Sequence, residues 1–155
     1  ISHREKDIRI RITNGIPEII LKLGKWGGQD QREEISILGE KNNYHSMIKL
    51  FGEIGYKKGV LCKRISKVYQ YNDIEFSIIE VPNHSYFFEA EISSNEAISK
   101  EKLDNLILAV CSQLNLTIFN DDDYYQYIDK LNNEANEIFL YENYEEIEFH
   151  SKYLA

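Results

Sequence analysis

Residues 76–92, FSIIEVPNHSYFFEAEI, combine an apolar run, a short polar turn and an aromatic run that carries Glu89 and Glu91. This pattern predicts two strands joined by a tight hairpin. Side chains alternate between the two faces of a strand, so Glu89 and Glu91 share one face, whereas Phe88 and Ala90 lie on the other. Neighbouring carboxylates repel unless a cation, a basic side chain or water lies between them. We therefore expect basic residues or a metal ion to face this hairpin.

The composition is that of a folded, acidic protein. With 155 residues, 43% of them hydrophobic, the chain can form a core, and we predict a single domain spanning residues 1–155. The net charge of −8 argues against a general nucleic-acid-binding surface. Basic residues are nevertheless dense in residues 1–67, whereas acidic residues dominate after position 121, which suggests an internal site for an anion.

The number and spacing of the cysteines and histidines indicate neither a zinc motif nor a disulfide framework. Cys62 and Cys111 are too few and too far apart for either, which suits a reducing cytoplasm, and both are expected to be buried. His45, His84 and His150 have no second ligand at the spacing of a metal motif. No apolar run of transmembrane length and no signal peptide are visible, so we predict a soluble, cytoplasmic protein with no membrane partner. The oligomeric state is left open, a homodimer included.

Three segments near the N-terminus alternate charged and aliphatic residues, namely 7–12, 18–23 and 32–37. Each is predicted to be a strand with one charged and one aliphatic face. Asn14 and Gly15 suit the positive φ angles of a tight turn between the first two strands. The charged faces of the three strands carry Arg9, Arg11, Lys22, Arg32 and Glu34.

Helical spacing of apolar residues appears in three later segments. The first covers residues 43–54 and is followed by Gly55, which is suited to end a helix. The second opens on a capping-box pattern at Ser93 and Glu96 and continues to about residue 115. Asp121 to Asp123 precede the third, and an acidic helix start is a better interpretation of them than a calcium site.

Two further segments are less regular. Residues 60–71 are predicted to form one extended basic strand that brings Lys63, Arg64 and Lys67 to the sheet. Residues 137–155 are acidic and rich in tyrosine, and the pattern predicts no definite element for them.

The charged strand faces carry too many charges for a simple outer surface. If they curve inward to close a barrel, they line a tunnel in which arginines and lysines bind phosphate oxygens and carboxylates hold a hard divalent ion. That is the chemistry of a polyphosphate site. The alternative is an open, solvated sheet on which Arg9 and Arg11 pair with Glu18 or Glu34, each pair contributing ~0.2–1 kcal/mol.

The order of these motifs resembles that of the CYTH domains of the triphosphate tunnel metalloenzymes. Arg9-Ile10-Arg11 is similar to the family's RxR strand, residues 19–22 to its strand ending in lysine, and Glu89-Ala90-Glu91 to its ExE metal-ligand pair. The resemblance implies an α+β fold, an antiparallel β-barrel forming a tunnel with packed helices. It also implies a triphosphate-containing small molecule as ligand and Mg²⁺ or Mn²⁺ as cofactor.

Two features of the family pattern differ in this chain. The family's N-terminal ExExK strand is not among residues 1–155, so we expect either that it precedes Ile1 or that the domain lacks its first strand. Ile79 stands where the family places an aspartate, and Glu80 falls on the other face of the strand.

The resemblance implies two sets of site residues. The phosphate-binding residues would be Arg9, Arg11, Lys22, Arg32, Lys63 and Arg64, and the metal ligands would be Glu89, Glu91 and Glu34. Hydrolysis of inorganic triphosphate, a nucleoside triphosphate or thiamine triphosphate is the leading expectation. The alternatives are a class IV-type adenylate cyclase and a non-catalytic module that binds polyphosphate or a nucleotide. An unrelated half-open sheet used for protein contacts would bind no anion.

Overall fold

The computed structural model describes residues 6–24, 32–92 and 99–154, apart from the side chain of residue 100. These residues form an α+β structure with four α-helices and three small antiparallel sheets. None of the three sheets closes into a barrel within the described ranges, so the predicted barrel is not confirmed. No helix in these ranges is long and apolar enough to cross a membrane.

The chain divides into two compact units. The first comprises Ile1–Leu61 and Glu137–Ala155, and the second comprises Cys62–Asn136. Compact units of this kind occur within single domains as well as in separate ones, so the single domain stays a prediction.

A three-stranded sheet in the first unit confirms the three predicted N-terminal strands. Strands β1 (Lys6–Thr13), β2 (Ile16–Leu23) and β3 (Glu33–Leu38) pair antiparallel in that order. Asn14 and Gly15 have φ angles of 51° and 79°, as the tight turn between β1 and β2 requires. The pairing places Arg9, Arg11, Lys22 and Glu34 on one face, together with Asp7 and Glu18, whereas Lys6 and Glu33 lie on the other.

The first unit also contains the tyrosine-rich C-terminal segment. Helix α1 (Tyr44–Glu53) ends before Gly55, whose φ angle is 110°, as predicted. Strand β4 (Lys58–Leu61) pairs with β8 (Glu137–Leu140). A 3₁₀ turn (Tyr141–Asn143) and helix α4 (Glu146–Tyr153) complete the unit.

The predicted continuous strand over residues 60–71 is wrong. The chain leaves β4 at Leu61 and enters β5 at Ile65, and the two strands belong to different sheets. At the break, the Arg64 guanidinium donates hydrogen bonds to the Lys63 carbonyl (2.7 Å) and to Asn136 Oδ1 (2.9 Å). The Lys63 carbonyl thus accepts a hydrogen bond from a side chain and not from the backbone of a neighbouring strand.

The second unit confirms the hairpin of residues 76–92. Strands β5 (Ile65–Tyr71), β6 (Ile74–Val81) and β7 (Ser85–Glu91) pair antiparallel in that order. Asn83 has a φ of 60° in the β6–β7 turn. The core of this unit consists of Ile74, Phe76, Val110 and Cys111, against which Phe88, Ala90 and Ile92 pack.

Two helices cover the second unit's sheet. Helix α2 (Lys100–Gln113) begins after Ser99, and the predicted capping box at Ser93 and Glu96 lies outside the described residues. Helix α3 (Asp121–Glu134) is capped by Asn120, whose side chain accepts a hydrogen bond of 2.9 Å from the Asp123 amide. The acidic run is thus a helix start, as predicted.

The two cysteines differ in their surroundings. Cys111 is buried in the core, where burial raises the pKa of its thiol. Cys62 is exposed, so the expectation that both are buried is wrong for this residue. It lies in the break between β4 and β5, where the chain is outside any sheet.

Candidate functional site

The charged face of the β1–β2–β3 sheet brings together four predicted phosphate-binding residues of the first unit. The register places Arg11 opposite Glu18 and Lys22 opposite Glu34. The shortest nitrogen-to-oxygen distances on this face are Arg9–Asp7 2.5 Å, Arg11–Glu18 2.7 Å, Lys22–Glu34 2.8 Å and Arg32–Asp7 3.6 Å. Cross-strand ion pairing, the alternative considered from the sequence, therefore operates on this face.

Arg32 differs from the other three cations. Its side chain is only 10% exposed, whereas those of Arg9 and Arg11 are 44% and 51% exposed. Its Nη1 is buried and has no hydrogen-bond partner in the described part of the chain, since 3.6 Å to Asp7 Oδ2 is too long for one. A buried donor without a partner is rare in native proteins, and an anion oxygen would satisfy it.

The charge balance of this face also favours an anion. Among the described residues of this face, four cations (Arg9, Arg11, Lys22 and Arg32) share three carboxylates (Asp7, Glu18 and Glu34), because Asp7 lies near both Arg9 and Arg32. The predicted metal ligand Glu34 is the ion-pair partner of Lys22 here, and its metal role stays a prediction.

Glu18 lies on the central strand of this face and bonds to side chains of both neighbouring strands. It accepts hydrogen bonds from the Ser36 hydroxyl and from the Arg11 guanidinium, and these two bonds, in that order, lower its pKa. Because the folded protein lowers this pKa, the stability that Glu18 contributes is complete above the ordinary carboxyl pKa of about 4.5 and is lost as the pH falls through the lowered value.

We expect Glu18→Gln to lower the free energy of unfolding at pH 7 and to have a smaller effect at pH 3. Urea denaturation at both pH values, followed by circular dichroism, measures the difference. Glu33→Gln, on the opposite face of the same sheet, is the matched control. If the loss of unfolding free energy depends on pH in the same way in both variants, the hydrogen bonds of Glu18 do not cause that pH dependence.

The carboxylates of the hairpin form a second group, in the second unit. Glu89 and Glu91 lie on the same face of β7, as predicted, opposite Ser77 and Glu75. Glu75 was not predicted as a site residue, although it directly faces Glu91 and accepts a 3.0 Å hydrogen bond from Gln70. Counting the register outward from the 82–84 turn would have revealed it.

The rest of this sheet face is apolar or neutral. Ile79, at the position where the family has an acid, is 7% exposed, and Val81 is 2% exposed. Phe87 packs on Tyr127 of α3 with ring centroids 5.6 Å apart, so α3 covers the end of the face near the turn. Glu89 and Glu91 lie toward the other end of this face and are exposed within the described residues.

The predicted basic strand contributes differently from expectation. The register places Ser66, Val68 and Gln70 on the same sheet face as Glu89 and Glu91, whereas Lys67 lies on the opposite face. Lys63 and Arg64 precede β5, and the Arg64 guanidinium is bonded to the Lys63 carbonyl and to Asn136 between β4 and β5. Lys63 and Arg64 therefore do not lie on the strand that was predicted to bring them to the phosphate site.

The predicted site residues divide between the two units. The cation face, with Glu34, belongs to the first unit, and Lys63, Arg64, Glu89 and Glu91 belong to the second. Within the described ranges, no group of three or more histidine, cysteine, aspartate or glutamate side chains lies close enough together to hold a metal ion.

A cavity of about 900 Å³ in the first unit was not predicted. Three lysines and two tyrosines contribute to its wall, namely Lys49, Lys57, Lys58, Tyr141 and Tyr144. Lys57 Nζ lies 4.6 Å from the centroid of the Tyr141 ring, and the Tyr141 hydroxyl donates a 2.9 Å hydrogen bond to Glu53. Residues some 85 positions apart form the cavity, and no local pattern could have indicated it.

Comparison of the chain with protein-family models, with curated proteins and with solved structures gave no match. The CYTH resemblance accordingly rests on the order of the sequence motifs, and it stays a prediction.

Proposed function

We propose that this chain binds a triphosphate-containing compound together with Mg²⁺ or Mn²⁺ and hydrolyses it. The observation that carries the proposal is the buried Nη1 of Arg32, a charged donor without a hydrogen-bond partner in the described residues, on a face with one more cation than carboxylates. The predicted barrel, in which such strand faces line a tunnel, belongs to the same proposal.

Binding requires the phosphates to replace carboxylates as partners of the cations. The side chains of Arg9 and Arg11 are 44% and 51% exposed and can turn toward phosphate, but this leaves Asp7 and Glu18, which are 14% and 13% exposed, in need of other partners. A triphosphate offers several oxygens at once, and arginine can bind them in a bidentate manner. Arg32 gains a partner without giving up a hydrogen bond at Nη1.

The residues that would hold a hard divalent ion are Glu89 and Glu91, with Glu75 opposite Glu91. Glu75, Glu89 and Glu91 supply carboxylate oxygens on one sheet face, which is the donor set that Mg²⁺ and Mn²⁺ prefer. Mg²⁺ is commonly held by one or two carboxylates, water and the substrate phosphates, so a cage of three side chains is not required. When bound, the ion would neutralise phosphate charge and orient the triphosphate.

A non-catalytic binding module is the second candidate. It is favoured by Ile79, which is buried where the family has an acid, because loss of one metal ligand impairs turnover more than phosphate binding. Class IV-type cyclisation is an alternative reaction at the same groups. In it a ribose hydroxyl of ATP attacks the α-phosphate and pyrophosphate leaves, so a cyclic nucleotide forms and no orthophosphate is released.

We expect the wild type to release phosphate from tripolyphosphate, ATP or thiamine triphosphate with Mn²⁺, and Glu89→Ala with Glu91→Ala to be at least tenfold slower. A colorimetric phosphate assay measures the rates. Glu101→Ala with Asp104→Ala removes the same charge from exposed positions of α2 and should leave the rate unchanged. Equal rates in the wild type and the Glu89, Glu91 variant would refute hydrolysis at these carboxylates.

Calorimetry with tripolyphosphate in the absence of metal separates binding from turnover. Arg32→Gln should weaken binding at least tenfold, whereas Lys41→Gln, an exposed residue before α1, should not. Binding that depends on Arg32 without phosphate release would establish the module. No measurable binding by the wild type, either without metal or with Mn²⁺, would overturn both candidates.

A further inference from the structure

Two histidines that are 105 positions apart face each other in the first unit. His45, in the first turn of α1, places Nε2 3.3 Å from Nδ1 of His150 in α4, and the ring centroids are 5.6 Å apart. We propose that this pair binds Zn²⁺ or a similar borderline transition-metal ion, which joins α1 to α4. The site is separate from the oxygen ligands of the proposed triphosphate function.

The nitrogen separation suits such an ion. Two imidazole nitrogens on tetrahedral Zn²⁺, each at 2.0–2.1 Å from the ion, lie about 3.3–3.4 Å apart. The pair therefore already has the spacing of two zinc ligands. One ring at present donates a hydrogen to the other, so on binding one ring changes tautomer, its hydrogen moving to the other ring nitrogen by exchange with water. The rings must also tip until both nitrogens point at the ion.

The surroundings of His45 resemble those of metal-binding histidines, which nearly always bond through their second nitrogen as well. His45 Nδ1 lies 2.5 Å from the Tyr144 hydroxyl. The phenol hydroxyl can accept the hydrogen of Nδ1. The Phe149 ring packs edge-on against His45 with centroids 6.3 Å apart and limits its movement.

The remaining coordination positions would be filled by water. His150 is exposed, so an ion can reach the pair from solvent. In the described part of the chain, no third histidine, cysteine, aspartate or glutamate side chain lies close enough to join the two histidines as a ligand. Imidazole nitrogens favour Zn²⁺, Ni²⁺ and Cu²⁺ over Mg²⁺, which prefers oxygen.

Calorimetric titration of the full chain with ZnCl₂ at pH 7.5 tests the proposal. We expect one saturable site in the wild type and at least tenfold weaker binding in both His45→Ala and His150→Ala. His84→Ala, which removes a histidine of the second unit, and Cys62→Ser, which removes an exposed thiol, should bind as the wild type does. Unchanged affinity in either of the first two variants, or displacement of Zn²⁺ by equimolar Mg²⁺, would overturn the site.

Nuclear magnetic resonance of the wild type gives a readout that does not depend on the variants folding. With ¹⁵N-labelled histidine, Zn²⁺ should shift the signals of His45 Nε2 and His150 Nδ1 together, with the stoichiometry found by calorimetry. Zinc-dependent shifts confined to His84 or to the residues before β1 would refute coordination by this pair.

Discussion

Replacing Phe76 with alanine is expected to lower the free energy of unfolding by about 3–5 kcal/mol, the range for removing a buried aromatic ring. Phe76 lies on the central strand of its sheet, is 5% exposed and packs against Phe88 with ring centroids 6.3 Å apart. Its loss would leave a cavity beside Val110 and Cys111 of α2, which the backbone of a paired strand cannot close. Urea denaturation followed by circular dichroism at 222 nm measures the change.

Tyr86→Ala is the matched control for this prediction. Tyr86 is an aromatic residue of the neighbouring strand β7, but its side chain is 70% exposed. Its truncation should change the free energy of unfolding by less than about 1 kcal/mol. A similar loss in both variants would mean that burial does not determine the contribution of these rings.

The strands were predictable because alternation and turn chemistry are local. The Asn14-Gly15 turn fixes the β1–β2 register, and the hairpin turn fixes that of β6 and β7. Alternation also places Ile20 on the charged face of the first sheet, yet this side chain is completely buried. Alternation assigns a residue to a face, but it does not tell how the face is covered.

The break after Leu61 and the segment 137–155 were not predictable for a different reason. Strand β4 is only four residues long, and its partner β8 lies almost 80 positions away. A strand of that length has no distinct period, and its existence depends on the non-local partner. The extended propensity of residues 60–71 therefore suggested one strand where the structure has parts of two.

The sequence was sufficient to predict which residue types form the candidate site and on which strand face they lie. It was not sufficient to predict which side chains contact each other. The sequence placed Arg9, Arg11 and Lys22 on one face, and the structure confirms it. Which carboxylate each cation contacts depends on side-chain rotamers. The pairing of His45 with His150, and the buried Nη1 of Arg32, likewise depend on packing that no spacing rule describes.

Gly52→Ala is expected to destabilise the protein by about 1–3 kcal/mol, although alanine normally stabilises a helix interior by about 0.5–1 kcal/mol relative to glycine. Gly52 is buried in α1, and a Cβ atom built on it would overlap the ring of Tyr141 in the 3₁₀ turn. The Tyr141 ring cannot easily move away, because its hydroxyl bonds Glu53 and its face stacks on Tyr144. The overlap outweighs the gain in helix propensity. Urea denaturation measures the change, with Ser46→Ala at an exposed position of the same helix as the control.

A double-mutant cycle identifies the cause of this loss. In a Tyr141→Ala background the ring is absent, so Gly52→Ala should then stabilise the protein by about 0.5–1 kcal/mol, the ordinary difference in helix propensity. The sign of one substitution would thus depend on a residue 89 positions away. If Gly52→Ala destabilises equally in both backgrounds, the contact between α1 and the 3₁₀ turn is not what requires glycine. A reversed sign would show that the Tyr141 ring is the reason why position 52 requires glycine.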